Sequence, residues 1–565
     1  MKIKNFILNY WPLILALFVA GIIRLYGLLQ NPISLYSDEV DIGYQVHTLL
    51  TTGRDYQGNF LPLQFHSFSD VRTPLPIYFT ALVNLIGVPL DLAIRLTPAI
   101  FGILGILATY LFLENLSKKE IFDLKVSHLG LIGSAILALI PWHVTFSRIG
   151  FELSMLYFFA IFGFYLYTEY LIMKKNKFLY LSTLFLGLTP MVYSTAKLAV
   201  LAYPILLLML SGDTKVFKSL KQILTALVIL FLPLVLLLLS GGAASRFQYI
   251  SIFTNPTTVP EINLERQSDF GPVSAVGSSP SIFTKIFHNK PLWYSNDLTN
   301  NLFDLISTQF LFTQGDPNLR HSPENWGVLY RAIFPLLVIG VYFLIRYQKS
   351  RLVLFLGSFL IVAMSASVIT RGGGTHASRS YMMILPFVVV SGIGLAYLSS
   401  FKKILFYLFS LAVVFESIFF LHSYWTHYRY DSAGFWSYGM KQAIISSEKY
   451  PGQPIVISPK NENPLIFYLY YTRFDPSRFQ KFVQDNTVYI NMSGEHNLEG
   501  NRIGDSNLYI ATLSDMNNKS ENLLPEAVYY FAKLETINSQ VRTVGTNSDI
   551  ITSPSGEPIF YEIHF

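Results

Sequence analysis

Residues 74–89 read Pro-Leu-Pro-Ile-Tyr-Phe-Thr-Ala-Leu-Val-Asn-Leu-Ile-Gly-Val-Pro, and how they are counted decides the threading of the chain. The stretch is apolar, but its sixteen residues fall short of the about 20 that cross a bilayer core, and proline closes both ends. Longer apolar stretches recur near 10–28, 93–114, 128–146, 152–173, 178–194, 198–211, 219–240, 328–346, 351–369, 380–400 and 404–425. Short basic interruptions separate many of them: Lys2/Lys4, Lys118/Lys119/Lys125, Lys174/Lys175/Lys177, Lys215/Lys218/Lys221, Arg346/Lys349/Arg351 and Lys402/Lys403. The positive-inside rule places these on the cytoplasmic side. Counting 74–89 as a span would turn the cluster at 118–125, and each later one, outward. The stretch is therefore read as a helix lying in or dipping into the outer interface. The expectation is a polytopic α-helical membrane protein of about 11 transmembrane helices. Its N-terminus is expected inside, its C-terminus outside, and the membrane is the plasma (inner) membrane. No small-x-small cleavage site follows the first stretch, so it is expected to stay as a span.

Composition agrees with this class. The 565 residues are 52% hydrophobic and 13% charged, about half the charge of an ordinary soluble protein. That excludes a disordered chain and argues against a wholly soluble one. No cysteine is present, so disulfides, thiolate catalysis and Cys-ligated metals are excluded. The net charge of +6 is unevenly spread. Residues 430–565 hold 10 Lys+Arg against 15 Asp+Glu, and the rest hold 31 against 20. The basic excess thus sits with the spans and is no nucleic-acid footprint. Two units are expected: a membrane domain over 1–425, with outer loops at 29–92 and 241–327, and an extracytoplasmic α/β domain over 426–565. Strands are expected at 454–458, 508–512 and 558–563, and helices at 435–449 and 462–472.

A charge within a span is costly, so charged residues at or near the outer ends of spans with no topological need to be there mark candidate function. Asp38, Glu39 and Asp41 follow the first span closely, and mutual repulsion raises at least one of their pKa values. The alternative is capping, with Ser37 or Asp38 at the start of a helix. The same loop ends in Asp70 and Arg72, where a guanidinium can reach a lipid-borne phosphate. Arg24, Arg148 and Glu152, Tyr193 and Lys197, Arg371, His376 and Arg379, and Asp316, Arg320 and His321 fall on the same expected face. Together they point to a cationic pocket with an acidic group, suited to an anionic headgroup undergoing chemistry. Gly372–374 is either a backbone nest for phosphate or a flexible loop. No GxxxxGK[ST] or HExxH motif occurs and the eleven histidines are scattered, so neither nucleotide-driven transport nor a catalytic zinc is expected. No cofactor is expected to be required, with a carboxylate-held divalent ion left open.

The Asp38-Glu39 pair after the first span, Arg72-Thr-Pro-Leu-Pro, and Ala93-Ile-Arg95-Leu-Thr-Pro-Ala-Ile-Phe-Gly102 together resemble the GT-C membrane glycosyltransferases. The groups most similar are the protein O-mannosyltransferases and the lipid A aminoarabinose transferases. His143-Val-Thr-Phe-Ser-Arg148-Ile-Gly-Phe-Glu152, Phe310-Leu-Phe-Thr-Gln-Gly-Asp316 with Arg320-His321, and His376-Ala-Ser-Arg379 look like stretches of bacterial members. The resemblance implies transfer of a sugar from a polyprenyl-phosphate donor to a hydroxyl acceptor (protein Ser/Thr, lipid or glycan) at the outer face of the membrane. It makes Asp38 the catalytic carboxylate and Glu39 its partner. Here Thr-Pro-Leu-Pro stands in place of the mannosyltransferase His-Pro-Pro, which bears on sugar and acceptor more than on the reaction. For the leaving phosphate the candidates are Arg72, Lys197, Arg379, Arg148 and His321. The competing expectation is a secondary transporter or flippase for an anionic lipid-linked substrate. Transporters commonly carry internal repeats, and none is visible.

Overall fold

The computed structural model describes residues 2–67, 71–118, 121–122, 124, 126–212, 217, 219–241, 245–269, 281–460, 462–485, 506–512, 526–532 and 549–564. A helix occupies each of the eleven long apolar stretches. In chain order the first helices are α1 (Lys2–Leu25), α2 (Ser37–Thr52), α3 (Pro74–Leu85), α4 (Leu90–Lys118), α5 (Leu129–Leu139), α6 (Pro141–Phe146) and α7 (Leu153–Met173). They continue with α8 (Asn176–Leu188), α9 (Ala196–Ser211), α10 (Leu220–Leu239), α11 (Ser245–Ile250), α12 (Thr258–Ser268), α13 (Ile282–Phe287) and α14 (Lys290–Leu305). Then come α15 (Ile333–Arg346), α16 (Ser350–Val368), α17 (Ile384–Phe401) and α18 (Lys403–Thr426). Among the described residues six helices are long and apolar enough to cross a membrane: Leu90–Ser117, Leu153–Met173, Leu220–Leu239, Ser350–Val368, Tyr381–Phe401 and Lys403–Thr426. Shorter apolar helices include Leu129–Leu139, Ala196–Ser211 and Ile333–Arg346.

The opening stretch is helical over only 12 residues, in α3. At 1.5 Å per residue that is about 18 Å, well under the about 30 Å of a hydrocarbon core. Pro74 starts it from an extended Thr73, where the missing N–H costs nothing. The stretch expected over 128–146 is broken between α5 and α6 at Pro141, which has no N–H to continue α5.

Helix α4 packs against α1, α5 and α7, and α17 against α5 and α15. The backbones of α15 and α17 touch because Gly340 and Gly394 carry no side chain; a Cβ on either would strike a carbonyl of the other helix. Helix α18 turns Leu408, Leu411, Phe415, Ile418 and Phe419 outward, an apolar face suited to lipid.

Beyond α18 lie α19 (Tyr428–Asp431), α20 (Met440–Ser447), α21 (Pro464–Tyr471) and α22 (Pro476–Gln484). Two strands precede α3, β1 (Phe65–His66) and β2 (Val71–Arg72). Five more follow: β3 (Ile455–Ile457), β4 (Leu508–Ile510), β5 (Val528–Ala532), β6 (Ile550–Thr552) and β7 (Pro558–His564). They form one sheet of order β4-β3-β5-β7-β6. Strand β3 is parallel to β4 and β5, and β7 is antiparallel to β5 and β6. One face of the sheet has its own small core of Val456, Ala511, Tyr529, Phe531 and Ile563, and the other face shares one with the N-terminal helices. Tyr44, Val46, Phe65 and Ile77 pack in the same buried cluster as Ile444, Leu465, Phe467, Tyr530 and Phe560.

Candidate active site

Helix α2 is capped by backbone alone. It begins at Ser37 with Tyr36 as N-cap, and no side chain satisfies the first N–H groups, so neither Ser37 nor Asp38 serves as the cap. Asp38 and Asp41 are three residues apart on this helix and so share a face. Opposite that face, β1 and β2 pair antiparallel with Phe65 against Arg72, which aims the guanidinium back at the helix. Arg72 Nη2 donates to Asp38 Oδ1 at 2.5 Å, and its Nε donates to Asp41. The Tyr36 hydroxyl donates to Asp38 Oδ2 at 2.9 Å. Burial works against the charge on Arg72, but Asp38 and Asp41, and then Glu152, more than offset it and hold the guanidinium protonated. In Asp41 burial wins over the same guanidinium, and its carboxyl is held above the ordinary value. Asp38 differs from its neighbours in access: its side chain is 44% exposed, against 3% for Asp41 and 11% for Arg72. Asp70 lies outside the described residues.

Glu39 turns the other way and is fully buried. Arg95 holds it bidentately, with Nε to Oε1 and Nη2 to Oε2 both at 2.9 Å, and the Gly150 N–H donates to Oε1 at 2.7 Å. Gly150 allows this approach, since a Cβ there would lie 2.7 Å from Glu39 Cγ. Glu39 is thus a strut between α2 and α4, and the structure does not bring it to the exposed side of Asp38. Arg148 and Arg24 are likewise sealed in. Arg148 donates to the carbonyls of Ile23, Gly27 and Asn31, and Arg24 to those of Ala20 and Ala138 and to His143.

Lys197, Tyr193 and Arg379 are brought together at a cavity of about 330 Å³. Its walls are chiefly Leu198, Leu201, Leu234, Leu238, Phe247, Ile250 and Ile369. Arg379 is fixed by donating to Thr370 Oγ1 and to the Arg371 carbonyl, each at 2.9 Å. Arg371 turns away to Asn255 and the Tyr249 carbonyl. The cavity and the α2 site meet along the chain: the Thr73 hydroxyl, next to Arg72, donates to the Val192 carbonyl, next to Tyr193, at 2.7 Å. In the glycine run, Gly372 is exposed and adopts a positive φ. Gly373 and Gly374 are buried, and a Cβ on them would strike the Ser367 carbonyl and Asp304.

Two groups complete the surroundings of Asp38. Arg320 lies over the Tyr36 ring, 5.1 Å from its centroid. Glu462, from the turn before α21, accepts from the Ser437 hydroxyl at 3.3 Å and is hydrogen-bonded to Ser37. Burial lifts its carboxyl above the ordinary value, Arg320 opposes this, and Asp38 adds to it. Nothing local in the sequence marks Glu462; it is one acid in a loop beyond the last span. Behind Arg320, His321 bonds Asp316 at 2.6 Å and lies beside His376, with ring centroids 5.0 Å apart.

No protein-family model and no curated protein matches the chain. Among solved structures the fold is similar to an oligosaccharyltransferase of Archaeoglobus fulgidus tethered to an acceptor peptide containing the NVT sequon. The identity is 14%, over 83% of this chain and 64% of that one, with a TM-score of 0.47. This chain therefore spans just under two thirds of that relative's length. It is also similar to AglB of the same organism, in complex with an inhibitory peptide and a dolichol-phosphate (13% identity, 93% and 70% covered, TM-score 0.48). A third is ArnT of Cupriavidus metallidurans bound to undecaprenyl phosphate (11% identity, 98% and 97% covered, TM-score 0.46). These likenesses are distant, at 14% identity or less, and concern the fold alone.

Proposed function

We propose that this chain is an inverting membrane glycosyltransferase. It moves a sugar from a polyprenyl-phosphate donor to a hydroxyl on a protein, lipid or glycan, at the outer face of the plasma membrane. One observation carries this reading: a half-exposed carboxylate, Asp38, is tied through Arg72 and Thr73 to the wall of an apolar cavity bearing Lys197 and Arg379. The cavity suits a polyprenyl chain, and its two cations suit the phosphate. Asp38 takes the proton of the acceptor hydroxyl. The hydroxyl oxygen attacks the anomeric carbon as the bond to phosphate oxygen breaks, and the electron pair leaves with the polyprenyl phosphate. That phosphate gains negative charge in the transition state, so Lys197 and Arg379 favour the transition state over the ground state. One displacement inverts the anomeric centre. Arg72 is committed to Asp38 and Asp41, so its role here is to orient the base, and phosphate binding falls to the cavity cations.

Asp38→Asn in the detergent-purified chain tests this, with a polyprenyl-phosphate sugar and mass analysis of the product. Transfer should fall at least about 10²-fold with an unchanged unfolding midpoint. Near-wild-type transfer by this folded variant would remove Asp38 as the base.

A further inference from the structure

Among the described residues, the transfer chemistry leaves unused a cluster of three groups at metal-ligand spacing. Asp316 and His321 lie between α14 and α15, and His376 lies in the connection from α16 to α17. Asp316 is 5% and His321 6% exposed, and His376 is half-buried. The His321 ring stacks on Phe146 at 5.7 Å and meets Phe151 edge-on at 5.6 Å. One donor atom from each of the three residues lies within 4.8 Å of the other two. Asp316 is held in place by the N–H groups of Asn318, at 2.8 Å, and Ala377, at 2.9 Å. The Ser378 hydroxyl lies 3.0 Å from His376 Nδ1 and fixes that ring, as partners of metal-bound imidazoles do.

We propose that Asp316, His321 and His376 bind one transition-metal ion, zinc being the best match. Two imidazoles and a carboxylate form a nitrogen-rich set that suits zinc and disfavours magnesium or calcium, which prefer oxygen throughout. Tetrahedral zinc places its ligand atoms about 3.4 Å apart. The three ligand atoms lie within 4.8 Å of one another, so the Asp316–His321 pair, now at 2.6 Å, opens and the longer separations close to reach that spacing. Water fills the fourth position. The ion ties the connection carrying Arg320 to the one carrying Arg379. Arg320 packs on Tyr36, and Phe151 stacks on the same ring at 5.5 Å, so the ion braces the two groups that hold the Tyr36 ring, whose hydroxyl donates to Asp38. Its role is positioning.

The test reads metal rather than turnover, so its failure is separate from failure of the transferase reading. The full chain in detergent is stripped with chelator, titrated with Zn²⁺ alone and desalted. Bound metal is then measured by mass spectrometry, alongside the unfolding midpoint. The expected result is one ion per chain and a raised midpoint. His376→Ala should keep the stripped midpoint of wild type and bind Zn²⁺ at least about tenfold more weakly. His288→Ala should leave binding unchanged; it removes a separate histidine paired with Glu265 and Asp269. The proposal is overturned if stripped wild type retains no ion. It is equally overturned if His376→Ala binds as wild type does, or if His288→Ala is the variant that loses the ion.

Discussion

Replacing Arg72 with Met removes the guanidinium shared by Asp38 and Asp41 while keeping much of its apolar stem. Asp38 can turn to solvent, but Asp41 is 2% exposed and cannot. A buried carboxylate stripped of its partner costs about 3–5 kcal/mol if it stays charged. It can instead take up a proton. From a reference pKa near 3.9 that costs about 4 kcal/mol at pH 7 and about 2 kcal/mol at pH 5.5. The loss in Arg72→Met is therefore capped near 4 kcal/mol at neutral pH. The sign follows from linkage: Asp41 is raised in the folded state even in wild type, so the folded chain binds more protons and stability falls as pH rises. Without Arg72 the folded value climbs further, and the fall extends to higher pH. Unfolding in detergent at the two pH values should show the gap to wild type narrowing by up to about 2 kcal/mol on acidification. The double variant Arg72→Met/Asp41→Asn should recover most of the loss and show little pH dependence. A loss that is equal at both pH values and not rescued by Asp41→Asn would refute this account of the pair.

Removing either cavity cation should weaken use of the donor. Lys197→Ala and Arg379→Ala each delete a charge-assisted contact of about 1.5–3 kcal/mol, so donor kcat/KM should drop about 10–100-fold. Unchanged donor kinetics would take the phosphate away from that cavity. Glu462→Gln removes a carboxyl whose folded pKa is raised by burial, so its stability relative to wild type should climb with pH above the ordinary glutamate range. A pH-independent difference between the two would speak against that buried carboxyl. The cysteine-free chain suits labelling by single substitutions. Ser555→Cys should react with an impermeant maleimide on intact cells, and Lys175→Cys only after permeabilisation. The reverse pattern would overturn the threading inferred from 74–89.

The helices were legible because apolarity over about 20 residues is local, and no partner is needed to see it. Strand β5 was not legible. All five of its residues are buried, so Val528–Ala532 carries no alternation to read. At the site, Asp38 stood out by its place after the first span, yet its true companion is Asp41 rather than the adjacent Glu39. Helix geometry explains this: residues three apart share a face, while a neighbour is rotated by about 100°. Arg24 and Arg148 looked like pocket cations for the converse reason. A sequence shows that a cation sits near a span end, but not whether a backbone carbonyl or a cavity lies in front of it. Here carbonyls meet both.

The break in charge at Tyr430 and the shared core answer different questions. Composition separates an acidic segment from a basic, apolar one because one meets water and the other is rich in spans. Packing then reunites them. The Tyr44 hydroxyl donates to the Phe474 carbonyl at 3.2 Å, and Gln480 Nε2 donates to the Asp55 carbonyl at 2.8 Å. Gly43 lies so close to Tyr470 that a Cβ could not fit between them. Helix α2 is therefore clamped on one side by α21 and α22, and on the other by Arg95 through Glu39. Asp38 sits at the N-terminal end of that clamped helix, with Glu462 hydrogen-bonded to the Ser37 beside it. On the proposed transferase reading, a base fixed on both sides loses little orientation when an acceptor arrives, which is what a positioned carboxylate contributes to transfer. On that reading the C-terminal segment helps to position the base. It supplies the surface against which the helix bearing Asp38 is held.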